Sequence, residues 1–315
     1  AVKTSAQYGS HIKSLLVYLN QYQLLPYERT CQLVEDLFSR TISQGTLDNW
    51  IEECFSNLES TEAEIRQALL ASPVVHFDET GIRKMGKLHW LHAVGTERLT
   101  FYELHARRGK EAMLDMGILE HFTGWAVHDH WKSYFTLGCP HALCNAHHLR
   151  ELIYLVEQEE QAWARSLIDL LLEAKAASEA LPENCLAQDS VQCQAIYLRY
   201  DTLIQTGLAQ NLPPPAAIGQ KKKRGRPKQS KAKNLLDRLQ EFKENVLAFL
   251  TDPLVPFDNN LGERDIRMAK TKQKISGCFR GSEGGTVFAR IRGYLSTLPK
   301  NDHNILAGIQ SAFGK

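Results

Sequence analysis

The chain of 315 residues is 43% hydrophobic and 23% charged, the balance of a soluble globular protein with one large or two ordinary domains and a sizeable core. No apolar run approaches the ~18 residues of a membrane span, and the opening AVKTSAQYGSHIK lacks the apolar stretch of a secretory leader, so a cytoplasmic protein with no membrane role is expected. Seven Cys at irregular spacing, in a chain large enough to need no staples, fit a reducing compartment better than a disulfide framework.

The first residue is Ala rather than Met, an opening expected of a processed or truncated product that could lack an N-terminal domain. Residues up to about 70 read as a helical region, with Ile12, Leu15, Leu16 and Leu19 on one face and Leu33, Val34, Leu37 and Phe38 on another. The segment ERTCQLVEDLFSRTISQGTLDNWIEECFSNL holds two helical patterns separated by a few residues, with Ser43 as N-cap of the second and Trp50 inside it. Two readings stand side by side: a helix-turn-helix whose second helix offers Gln44, Thr46 and Asn49 to a DNA groove, and a helical hairpin that packs on the next domain.

From Pro73 the period changes. PVVHFDET, LHWLHAV and RLTFYEL are short runs rich in β-branched and aromatic residues, separated by Gly-containing turns, which predicts a three-stranded meander. A helix over 109–121, a fourth strand GWAVHD, a short helical piece after His130, a fifth strand around HALC and a long helix from Ala146 to about Ala180 follow. That order predicts an α/β fold, a mixed sheet with helices packed on its faces. Between about 181 and 233, LPENCLAQDS, the Pro213-Pro214-Pro215 run and a basic stretch all break helices. From Asn234, NLLDRLQEFKENVLAFL resumes a strongly amphipathic pattern. Residues 71–145 and 256–315 are thus expected to form two parts of one core, interrupted by a mostly helical insertion over 146–255.

The net charge is +1, but residues 221 to 233, KKKRGRPKQSKAK, carry eight Lys or Arg and no acid, so the remainder is mildly acidic. A concentrated basic segment on such a body points to local contact with a polyanion.

Three acidic signatures lie far apart: Asp78 in VVHFDETG, Asp129 in WAVHDHWKSY and Glu263 in DNNLGERDIRMAK. Carboxylates hold hard divalent ions, Mg²⁺ or Mn²⁺, that keep waters and phosphate oxygens in their shell. Two such ions ~3.5–4 Å apart serve an in-line phosphoryl displacement. Asp78 and Asp129, each ending a strand, would lie side by side if those strands are neighbours. Asn259, Glu263, Arg267 and Lys270 fall on one helical face, which would turn a carboxylate to the metals and cations to a DNA backbone. Each residue also has a plainer reading. An Asp at a strand end is most often a turn or cap residue, and Glu263 is a candidate i,i+4 partner of Arg267, a pair that contributes only about 0.2–0.5 kcal/mol.

The motifs LPYERTCQLVEDLF with ISQGTLDNW, HFDETG, GKLHWLHAVGT, RRGKEAM, VHDHWKSY, CPHALCNAHHLREL, KKRGRPKQSKAKNLLDRL, VPFDNNLGERDIRMAKTKQKISGCFRG and FARIRGYLSTLPKNDHNIL resemble the transposases of the IS66 family of bacterial insertion sequences, through almost the whole chain. The resemblance implies an RNase H-like fold and a DDE triad of Asp78, Asp129 and Glu263. It further implies hydrolysis of one strand at each transposon end, with joining of the freed 3′-hydroxyl to target DNA, by two Mg²⁺ or Mn²⁺ ions. DNA ends and target DNA are the implied partners, with a homodimer or larger assembly in the active complex and accessory proteins encoded by the same element. Two departures stand out: His130, where many relatives carry Gly, and Pro299, where a basic residue is common. Such relatives also carry a further N-terminal region. Within enzymes the alternative is a nuclease of the same fold, and outside them a DNA-binding derivative that no longer cuts.

Lys223-Arg224-Gly225-Arg226-Pro227-Lys228 resembles an AT-hook core, in which an extended backbone lies in a narrow A·T-rich minor groove. DNA contact is the preferred reading over a solvated linker. Arg264, Arg267, Lys270, Lys272, Lys274 and Arg280 are candidates for clamping the DNA backbone near the cut. Cys139, His141, Cys144 and His147, with His148 beside them, have a spacing that a tetrahedral Zn²⁺ accepts, but all lie within ten residues with no separated second pair. The family resemblance implies that this stretch lies at a buried strand-to-helix junction, and a structural role there is favoured over zinc.

Overall fold

The alternating residues after Pro73 form strands in the computed structural model, which describes residues 8–117, 121–136, 138–213 and 229–314. The strands are β1 (Val74–Lys84), β2 (Lys87–Gly95), β3 (Thr100–His105), β4 (Trp125–His128) and β5 (His141–Leu143), in the order β3-β2-β1-β4-β5. β1, β2 and β3 make the expected antiparallel meander, with Asp78 opposite Ala93 and Ala93 opposite Tyr102. Met85 and Gly86, at φ 50° and 74°, close the first hairpin in the left-handed conformation that a two-residue turn requires. β4 joins β1 through Trp125 N–H to the Pro73 carbonyl, and β5 joins β4 through Ala126 N–H to Pro140 and Cys144 N–H to His128.

The helices are α1 (Ser10–Val17, continued by a π-helical turn), α2 (Tyr27–Phe38), α3 (Gln44–Asn57), α4 (Glu59–Leu70), α5 (Lys110–Asp115), α6 (Asn145–Glu159), α7 (Ala162–Glu179), α8 (Val191–Gln210), α9 (Lys231–Glu241), α10 (Lys243–Thr251), α11 (Asn260–Ser276), α12 (Gly284–Lys300) and α13 (Ile305–Phe313). The result is an α/β architecture, a five-stranded mixed sheet flanked by helices, consistent with an RNase H-like fold. Among the described residues no helix is long and apolar enough to cross a membrane.

The chain divides into two compact units. The first comprises Ala1–Ala126, Trp131–Pro140 and Asn260–Lys315. One face of its sheet buries Val75, Phe77, Val94 and Phe101 with Ile65 of α4 and Met113 of α5. The opposite face buries Ile82, Leu91, Ala93 and Tyr102 with Ile266 and Ala269 of α11 and Phe288 of α12. A third cluster joins the N-terminal helices to the C-terminal ones, through Leu16, Val34, Trp50, Ile291 and Ile309. The second unit comprises Val127–His130 and His141–Asn259 and carries β5 and helices α6 to α10.

Several elements differ from the sequence reading. The long helix from Ala146 is two helices, because Glu160 turns left-handed at φ 50° between α6 and α7. The pattern from Asn234 likewise breaks at Phe242, at φ −111° and ψ 29°, between α9 and α10. Helix α8 occupies a stretch read as helix-breaking. Ser190 caps it by accepting from Cys193 N–H, and Cys193, Ile196, Tyr200, Ile204 and Gly207 form its buried face. The helix expected over 109–121 stops at Asp115, where Gly117 goes left-handed at φ 64°.

Candidate functional site

Asp78 does not end its strand. β1 runs on through Thr80 and Ile82, paired with Leu91 and His89, so Asp78 sits mid-strand and half-buried. Strand alternation puts Asp78 on the face of Thr80 and Ile82 and turns Glu79 to the face of Phe77. Ile82 and Ala93 pack against α11, so Asp78 belongs to the sheet face that α11 covers. The backbone N–H of Glu79 donates to Asp78 Oδ1 at 2.8 Å.

Glu263 lies in the first turn of α11, where the unpaired N–H groups of a helix start favour a negative charge. The helix begins at Asn260, so Asn259 precedes it instead of sharing its face. Asn259 is buried, its N–H directed to Cys144 Sγ at 3.1 Å. α11 is fixed by Asp265, which accepts from Lys300 Nζ at 2.7 Å and from the Thr100 hydroxyl at 3.3 Å, while Tyr102 donates to the Asp265 carbonyl at 2.6 Å. Burial raises the Asp265 carboxyl above its usual range, although Lys300 opposes the shift.

Asp129 follows β4 directly, as expected, and is half-buried in the second unit. His128, wholly buried, reaches the Asp129 carbonyl with Nδ1 and His141 Nδ1 with Nε2 at 3.0 Å. The pattern assigns a neutral imidazole that donates from Nδ1 and accepts at Nε2. Burial lowers its pKa to about 3. His128 therefore ties down the peptide of Asp129, a role sequence reasoning missed. The available signal was a His inside an otherwise apolar strand. His130 packs its ring on Phe242, with centroids 4.5 Å apart, and on His148 at 6.1 Å.

The cations separate into three groups. Arg264, Arg267, Lys270 and Lys274 lie exposed on the solvent side of α11, and Lys270 Nζ donates to the Gly81 carbonyl at 3.0 Å. Lys272 differs from these in lying on the buried side of α11, 8% exposed. It lines an open cavity of about 740 Å³ whose wall from α3 consists of Gln44, Asp48 and Glu52. Burial, and after it the charges of Asp48 and Glu283, hold the Glu52 carboxyl above its usual range. Ser43 caps α3 as expected, and the wall presents two acids beside Gln44. Lys223, Arg224, Arg226 and Lys228 lie outside the described residues.

Of the zinc candidates, Cys139 packs in the apolar cluster of Phe77 and Tyr134, and burial pushes its thiol up. His141 is engaged with His128, and Cys144 Sγ receives the Asn259 N–H. Burial holds His148 neutral, its pKa lowered to about 3, with Nδ1 3.0 Å from Asn145 Oδ1.

A family model described as "Transposase IS66 family" matches residues 5–287. A search of curated proteins finds no match.

Proposed function

The chain belongs to the IS66 transposase family, and on that premise we propose that it is an insertion-sequence transposase that frees 3′-hydroxyls at transposon ends and joins them to target DNA through Asp78, Asp129 and Glu263. The observation that carries this reading is the packing of α11, with Glu263 in its first turn, across the sheet face to which Asp78 belongs. Asp129 directly follows β4, the strand beside β1 in the sheet.

The three ligands are carboxylates, hard oxygen donors that suit Mg²⁺ or Mn²⁺ rather than zinc. Two such ions, when bound, supply activation of water or a DNA hydroxyl and stabilise the leaving oxygen. The protein's own contribution is to hold the acceptors and orient the strand. Glu263 is carried in the first turn of α11, and the Asp129 peptide is tied to His128. Arg264, Arg267, Lys270 and Lys274 line the solvent side of the same helix and neutralise phosphates on either side of the cut. Lys223, Arg224, Arg226 and Lys228 add a minor-groove contact to A·T-rich DNA. Pairing two DNA ends calls for a dimer or larger assembly, and proteins encoded by the same element are candidate companions in the bacterial cytoplasm.

Purified protein, Mg²⁺, labelled end-sequence DNA and a target plasmid test the reading. Joined product is the expected result. Cleavage without joining would make the protein a nuclease, and binding without metal-dependent nicking would make it a DNA-binding derivative.

A further inference from the structure

Glu79 occupies a position where strand alternation calls for an apolar side chain. It shares its face with Phe77, beside the cluster formed by Val94 and Phe101, and its side chain is 1% exposed. A carboxylate there is costly unless donors surround it. Arg108 donates from Nε and Nη2 to Oε1 at 2.9 and 2.5 Å, and the Tyr134 hydroxyl donates to Oε2 at 2.5 Å. Arg108 is itself clamped, its guanidinium 4.7 Å from the Trp90 ring centroid and 4.2 Å from that of Trp131. Trp131 stands edge-on to Tyr134, centroids 5.6 Å apart and planes at 86°.

A planar guanidinium between two indoles has little rotational freedom, so the carboxylate it grips is equally fixed. The grip passes to Asp78 by the shortest route, because the Glu79 N–H donates to Asp78 Oδ1 at 2.8 Å. β1 is thus held from one face while Asp78 belongs to the other. Trp131 and Tyr134 also follow Asp129 in the chain by two and five residues, so the same network anchors the segment that leaves Asp129. Only Glu79 of the pair is buried, the Arg108 side chain being 37% exposed, so the network fixes a buried carboxylate from the protein surface.

We propose that Glu79, held by Arg108 and Tyr134, is a positioning residue that sets the direction of the Asp78 carboxylate. Its consequence for activity rests on the reading of Asp78 as a catalytic ligand. Glu79→Gln, Arg108→Lys and Tyr134→Phe in the full chain test it. The first removes the acceptor charge, the second keeps every charge but loses the fork, and the third removes one hydroxyl and suits the packing best. Carboxyl NMR of ¹³C-aspartate-labelled protein, with the Asp78 signal assigned by its loss in Asp78→Asn, should show that signal displaced in all three. Mg²⁺-dependent nicking should fall roughly 10–100-fold in kcat, with KM for DNA within about twofold in the sense of an interaction made after binding. An unmoved Asp78 signal in folded Arg108→Lys and Tyr134→Phe overturns the proposal, whatever the activity. A wild-type protein that nicks no DNA sinks the transposase reading, and the NMR comparison still decides the positioning role.

Discussion

Asp78 and Glu79 are adjacent in sequence and face opposite ways, one toward the helix that bears Glu263 and the other into a cage of donors. The sequence made Asp78 visible as an acid closing an apolar run. Its place in mid-strand was hidden because the run PVVHFDET reads as ending at a turn that begins with Gly81. Only pairing with Leu91 and Trp90 keeps that stretch extended. The Glu79 cage was invisible for another reason, since Arg108 lies 29 residues away and nothing local announces the pairing. His92, opposite Glu79 in β2, makes a separate residue-scale prediction. It is 1% exposed, and burial lowers its pKa to about 4. With the folded value depressed below the ordinary one near 6.5, the unfolded chain takes up the proton first as pH falls. The stability it contributes is full above about pH 6.5 and is lost as pH drops toward 4. Denaturant unfolding should show wild type losing about 2 kcal/mol more than His92→Phe between pH 7.5 and 5. Parallel pH profiles would mean that His92 protonates as easily folded as unfolded.

At the scale of elements, the helix carrying Glu263 is set by a buried ion pair as well as by apolar packing. Asp265 and Lys300 have side chains 8% and 15% exposed and lie 2.7 Å apart, joining α11 to α12. Lys300→Met would strand a buried carboxylate, and a loss of about 3–5 kcal/mol in unfolding free energy is expected. A loss below about 1 kcal/mol would be the signature of a surface pair instead. Strands and caps were the most legible elements, since β-branched runs and Ser43 before Gln44 carry their signal locally. Helix breaks were less so. The left-handed turn at Glu160 carries no Gly, and the kink at Phe242 interrupts an apolar pattern that is itself unbroken. Helix α8 was not legible because it lies between Pro182 and the Pro213-Pro214-Pro215 run, although Ser190 is a cap of the same kind as Ser43.

For the whole molecule, the acidic signatures fall in both compact units, with Asp78 and Glu263 in the first and Asp129 in the second. Sequence spacing alone conveys neither that division nor its boundaries. The basic stretch also looks different beside its neighbours. Lys231 lies over the Tyr154 ring and Lys233 pairs with Asp237, so both serve α9. The six cations of 221–228 are then the ones proposed to contact DNA. Replacing them with Ser should lower the magnitude of the salt slope of DNA binding by up to about 5, at roughly 0.9 per phosphate contact. An unchanged slope would assign that segment to a linker. The central claim is that three carboxylates act as one metal-holding set. Single-turnover nicking of end-sequence DNA in Mg²⁺ by wild type, Asp78→Asn, Asp129→Asn and Glu263→Gln, each first shown to melt like wild type, tests it most directly. The account predicts that each variant binds DNA and drops to background cleavage, while nicking at the wild-type rate by any one of the three would contradict it.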